Sequence, residues 1–172
     1  MADFITCFRW AMAVEDPQME FKTVPDAPPG SFSISGINSH AYPAQFAAIN
    51  AIPQEQRGPA VQSFYQTEFW NQWYAQLSTN DIAKRVFDEA VNAGPGTAVK
   101  ILQEAINSLG IMPSIAVDGG WGPNTVAAAN ACDLTELLKA FIKFRCARYS
   151  NIAEDNPSDA KYLDGWLERA ER

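Results

Sequence analysis

Outside residues 16–42 the chain repeats one pattern, apolar residues at three- and four-residue spacing closed off by proline or glycine. That spacing marks helices burying a single stripe. Phe4, Cys7, Phe8, Ala11 and Met12 form the first stripe, and Pro17 ends it, because proline lacks the N–H a helix interior needs. Pro43 opens a short helix to about residue 52, since proline is tolerated at a first helical position. A longer helical region follows over 54–77, with Gly58-Pro59 splitting or kinking it. Ser78-Thr79-Asn80-Asp81 caps the next helix, whose stripe is Ile82, Val86, Ala90 and Val91; Gly94-Pro95-Gly96 closes it. Val99, Leu102 and Ile106 mark another, stopped by Gly110. Pro123 opens a helix to about 131, and the capping-box pattern Asp133-Leu134-Thr135-Glu136 starts a long one to about 150. Leu137, Leu138, Phe141, Ile142 and Cys146 fall inside it. A last helix after Asn156-Pro157-Ser158 carries Tyr162, Leu163, Trp166 and Leu167. The expectation is a mainly α fold of about eight helices. Within 16–42, rich in proline and glycine, only Ser31-Phe32-Ser33-Ile34-Ser35 alternates as a strand does, so at most a small β-hairpin is expected. Phe21, Phe32, Ile34 and Ile37 are apolar enough to keep that long segment ordered.

Composition removes several function classes. The net charge is −7, from 13 basic and 20 acidic residues, which argues against a nucleic-acid footprint. No apolar run approaches the ~20 residues of a membrane helix, so no membrane insertion is expected. Nor does the N-terminus read as a signal peptide. Cys7, Cys132 and Cys146 are odd in number and widely spaced, which gives no disulfide framework; Cys7 and Cys146 read as small buried residues. His40 is the lone histidine, and there is neither a CxxC nor an HExxH. No metal and no organic cofactor is expected.

Glu15 stands where the first helix meets the long irregular segment. A partly desolvated carboxyl at such a place suits a general acid, and a solvated acid at a helix end is the plainer alternative. Phe64, Tyr65, Phe69, Trp70, Trp73 and Tyr74 crowd one region, mostly as core, with some able to stack on a pyranose face. Trp121, on the tight loop Asp118-Gly119-Gly120-Trp121-Gly122, is either such a platform or simple packing. Asn92 sits at a helix end, where its amide serves backbone or substrate; Asp88, one turn earlier, is open to the same two readings.

Several signatures then occur in order. They are Phe69-Trp70, Phe87-Asp88-Glu89-Ala90-Val91-Asn92-Ala93-Gly94, Leu102-Gln103-Glu104-Ala105, Asp118 to Thr125, and Gly165-Trp166-Leu167-Glu168-Arg169. Through them nearly the whole chain resembles the glycoside hydrolase 108 family of N-acetylmuramidases, with its C-terminal predicted peptidoglycan-binding region of type 3. The first half departs from that family's pattern. Glu15 holds the glutamate place, but Asp16-Pro17 replaces two glycines. Asp26 matches the aspartate place two residues late, and Ser33 falls nearest the threonine, three residues before Gly36-Ile37.

The resemblance implies a lysozyme-like fold, with a catalytic region over 1–94 and a peptidoglycan-binding-like helical region over 95–172, packed as one body. It implies hydrolysis of the β-1,4 bond between N-acetylmuramic acid and N-acetylglucosamine in peptidoglycan glycan strands. Glu15 would protonate the leaving oxygen, while Asp26 with Ser33 would position a water or stabilise the oxocarbenium-like charge. Asn92, Asp88, Trp70 and Trp121 would contact substrate. The implied setting is synthesis in a bacterial cytoplasm and action in the periplasm or cell wall, after phage-type release or secretion-system delivery. That leaves room for an inhibitor or immunity protein as partner. The rival reading is a catalytically degenerate module that binds peptidoglycan or a protein. A third, a Cys7–His40 amidase or peptidase, needs an accessible Cys7.

Overall fold

The computed structural model describes residues 1–172. In chain order the elements are α1 (Phe4–Glu15), β1 (Thr23–Asp26), β2 (Ser31–Ile34), β3 (Ile37–Asn38), α2 (Pro43–Asn50), α3 (Gly58–Phe69), α4 (Asn80–Ala93), α5 (Pro95–Ser108), α6 (Pro123–Ala131), α7 (Leu134–Asp155) and α8 (Leu163–Glu171). Short 3-10 turns lie at 54–56, 74–76 and 160–162. This is the expected mainly α, lysozyme-like plan, with eight helices beside one small antiparallel sheet in the order β1-β2-β3.

The helix ends follow local chemistry. Asp3 caps α1, its carboxylate accepting the Thr6 N–H at 3.0 Å. Asp133 does the same for α7 through the Glu136 N–H at 3.0 Å. Capping of α4 differs from expectation: Thr79 makes no side-chain cap bond, and Asn80 instead pairs with Asp3, accepting its N–H and donating back to its carboxylate. The helical region expected over 54–77 ends its main helix at Phe69, because Trp70 is extended and the Asn71 side-chain Oδ1 turns the chain by accepting the Trp73 N–H.

A single core of 30 buried residues runs from α1 through α4 and α5 to Phe141 of α7, crossing the Gly94 boundary without a break. α1 lies against α4, which packs on α5, which packs on α7; α8 returns to lie on α7. Phe4, Phe69, Trp70, Tyr74 and Phe87 form an aromatic cluster with ring centroids 4.8–6.5 Å apart. On α7 the buried line is Leu137, Phe141, Arg145, Tyr149 and Ala153, so Cys146, expected on that line, is only half-buried.

The sheet exceeds the expected hairpin by one strand. β1 is exposed along its whole length and contains Pro25, so neither alternation nor donors announce it. The β2–β3 connection is the two-residue turn Ser35-Gly36 with φ of 47° and 78°, the positive-φ pair that matches strand twist. It sets Ile34 opposite Ile37, both fully buried.

Candidate active site

Glu15 is the last residue of α1, and its carboxyl is wedged between the sheet and α8. Its Oε1 lies 2.8 Å from Arg169 Nη2, and its side chain keeps 18% of its exposure. On the other side it meets the β2–β3 turn so closely that a Cβ on Gly36 would stand 2.5 Å from Oε2. Gly36 is therefore fixed twice, by its positive φ and by the carboxyl itself. Tyr65 reaches the same place from α3 and donates to the Ser35 carbonyl at 2.7 Å. Burial, then the Glu15 charge, hold its phenol well above the ordinary range, so it stays a donor.

Asp16, next to Glu15, ties down the segment that follows α1. Asp16 is extended, with φ of −158°, a conformation that needs no glycine. Its carboxylate accepts the Glu20 and Phe21 N–H groups at 3.0 and 2.8 Å and the Ser35 hydroxyl at 2.7 Å. The left-handed residues sit further on, at Met19 and Phe21. Such positions typically cost ~1–3 kcal/mol each and persist where their surroundings hold them. Buried Arg57 supplies part of that hold, donating to the Phe21 and Ile52 carbonyls and to the Thr23 hydroxyl.

Asp26 and Ser33 share one face of the sheet, as the pairs Asp26↔Ser31, Val24↔Ser33 and Ser33↔Asn38 require. Asn38 joins them: its amide donates to Asp26 Oδ2 and to the Ala27 carbonyl, both at 2.8 Å. Nothing in the sequence pattern singled out Asn38. Asp26 is exposed, whereas Ser33 is buried. Thr23 pairs with Ile34 beside the turn that touches Glu15, so Asp26 lies roughly 10 Å further along the strand.

The other candidates occupy a different environment. Asp88 is 1% exposed and clamped by two arginines, Arg145 Nη2 at 2.9 Å and Arg169 Nη2 at 3.0 Å. It is not presented to a ligand, because both its oxygens are used inside the protein. Asn92 donates to the Tyr149 hydroxyl at 2.7 Å and accepts from Arg169 at 3.4 Å, so its amide too is spent on packing α8 and α7. Trp70 stacks on Tyr74 and contacts Phe4 and Phe87, which places it at the edge of the core rather than on a sugar platform. Trp121 meets Tyr74 edge-on at 4.9 Å with its indole nitrogen buried.

Four residues that carry this arrangement take no assigned role from the sequence. Arg145 and Glu89 are fully buried and joined at 2.7 Å. Tyr149 donates to Glu89 at 2.6 Å. Arg169 bridges Asp88 and Glu15 through one nitrogen. Burial works against the Arg145 and Arg169 charges, and the carboxylates around them overcome it, holding both above the ordinary range. Four-residue spacing put Arg145 on the α7 stripe with Leu137, Phe141 and Tyr149, and that was the readable signal.

Cys7 is fully buried, and burial pushes its thiol up to about 12, so no thiolate is available; His40 is exposed. A Cys7–His40 nucleophile pair is excluded on both grounds.

Residues 97–171 match a family model described as Predicted Peptidoglycan domain. Among solved structures, the chain is similar to one titled Structure of Brucella abortus SagA. The two share 19% identity and a TM-score of 0.69, over 98% of this chain and 90% of that one. A search of curated proteins finds no match.

Proposed function

We propose that the protein acts on peptidoglycan as a glycoside hydrolase of the muramidase type, with Glu15 as general acid. One observation carries the reading. The carboxyl at the end of α1 is held from one side by Arg169 and from the other by a glycine turn, while part of it stays open to solvent. Arg169 and Gly36 fix the direction of that carboxyl, as proton delivery to a leaving oxygen needs. The match over residues 97–171 supports peptidoglycan as the polymer, and the fold likeness is consistent with a lysozyme-like body.

Asp26, oriented by Asn38, is the second carboxylate, and Ser33 lies on the same sheet face. The exposed place of Asp26 on that face leaves both roles of a second carboxylate open to it, activating a water or stabilising the oxocarbenium-like charge. Arg169 is a positioning residue here, because it acts through Glu15.

A second reading, binding without cleavage, has its own support. Asp16 replaces a family glycine with a carboxylate that knits the loop together, and Glu15 is engaged by Arg169. Reducing-end release from purified peptidoglycan, wild type beside Glu15→Gln, separates the two. The hydrolase reading expects release that falls ~10²–10⁴-fold in the variant. Retention of intact polymer by both proteins, with no release, would leave the binder.

A further inference from the structure

Away from Glu15, the segment 111–122 and α6 enclose a groove of about 520 Å³. Two side-chain amides build its frame. Asn107 bonds both backbone groups of Ile115, at 2.9 and 3.0 Å. Gln103, 1% exposed, accepts the Gly119 N–H and donates to the Gly120 carbonyl, to Asp118 and to Thr125. A segment without regular secondary structure is thereby held as a preformed wall.

We propose that this groove binds the peptide stem of peptidoglycan, with Asp118 Oδ2 receiving the side-chain ammonium of the stem's diamino acid. The proposal rests on the peptidoglycan reading above and adds a site separate from Glu15.

The chemistry of the lining selects the ligand. Ile111, Met112 and Ile115 make one side, with Met112 83% exposed, and Ala127 lies across on α6. This side of the groove offers apolar contact next to the Asp118 carboxyl. It suits the methyl groups of alanine residues. Asp118 Oδ1 is spent on the Gln103 amide at 2.9 Å and the Gly120 N–H at 2.8 Å, whereas Oδ2 takes no bond in the protein. Those two bonds hold the carboxyl below the usual carboxylate range, so it is charged at neutral pH. Lys100, beside Gly119, is not within ion-pair distance of it, and its charge acts on the carboxyl in the same direction as the two hydrogen bonds. A glycan would want an open aromatic face and many free hydrogen-bonding groups. Here the one aromatic residue of the lining, Trp121, is turned toward Tyr74 with its N–H buried.

The test uses the full chain carrying Glu15→Gln, so that no turnover intervenes, and follows backbone amide shifts by NMR. The probes are a soluble stem tripeptide ending in a diamino acid, the same peptide with its side-chain amine acetylated, and a peptide-free disaccharide of the glycan. The free-amine peptide should shift residues 111–128. Asp118→Asn, which keeps the Oδ1 acceptor and loses the charge, should weaken binding about tenfold, as should acetylation of the probe. Ala127→Trp, filling the groove from an exposed position, should abolish it. Equal binding by Asp118→Asn, no binding of the peptide, or groove shifts with the disaccharide alone would each overturn the proposal. Peptide binding by a wild type that releases no reducing ends would sink the Glu15 chemistry and leave the groove standing. Release without peptide binding would do the reverse.

Discussion

Asp26 and Asp88 are both aspartates near Glu15, and the protein treats them oppositely. Asp26 lies on an exposed strand, held by one neutral amide and its own neighbour's N–H. Asp88 is buried under two arginines. The sheet side therefore presents Asp26 outward with only neutral partners. The α4–α7–α8 side locks its charges inward. Glu15 is where the two meet, open on one side and paired with Arg169 on the other. Charge near a site thus says little about function until its partners are counted. A carboxylate buried and claimed by arginines holds structure, and one left exposed with only neutral partners is available for chemistry.

The largest test of that division is Arg145→Met. It would leave Asp88 and Glu89 buried with less compensation, and breaking such a network typically costs ~3–5 kcal/mol. Urea unfolding should show that loss; a midpoint near wild type would mean that the inward side is not held by its charges. Alkali should act on the same side. Burial, then Glu89, pushes the Tyr149 phenol up from 10 to about 12. Its contribution is present in full below pH 10 and is lost as pH rises toward 12, roughly 3 kcal/mol for a two-unit shift. Cys7 adds to the loss over a window starting near 9. Unfolding midpoints followed from pH 8 to 12 should fall in that window, and less steeply in Tyr149→Phe. Gly36→Ala tests the meeting point: strain at positive φ and a clash with Glu15 should remove ~1–3 kcal/mol and most of the hydrolytic rate together. Asn38→Ala is the mildest, about 1 kcal/mol for its lost hydrogen bonds, with a drop in rate through a less fixed Asp26.

The helices were legible because stripes and breakers are local. α1 ends at Glu15, as Pro17 required, and α6 runs Pro123–Ala131, as Pro123 indicated. β1 was not legible, since Thr23-Val24-Pro25-Asp26 buries nothing and cannot alternate. Glu15 and Gly36 were named from the sequence, but their contact arises only when a turn from the sheet closes on the end of a helix. The inward network was the hardest part. Glu89 and Arg145 look like surface residues until each becomes the other's counter-charge, 56 positions apart in sequence. Asp88 and Asn92 drew attention as substrate groups for the same reason: a polar pattern reads alike whether its partners are ligand or protein.

The most direct measurement pairs Asp26→Asn with Asp88→Asn and reads both hydrolytic rate and unfolding midpoint. Asp26→Asn should lose at least ~10²-fold in reducing-end release with its midpoint nearly unchanged. Asp88→Asn should lose ~3 kcal/mol of stability, with its folded fraction still cleaving glycan. The opposite pattern, a stable but inactive Asp88→Asn beside an active Asp26→Asn, would contradict the division of labour on which the account rests.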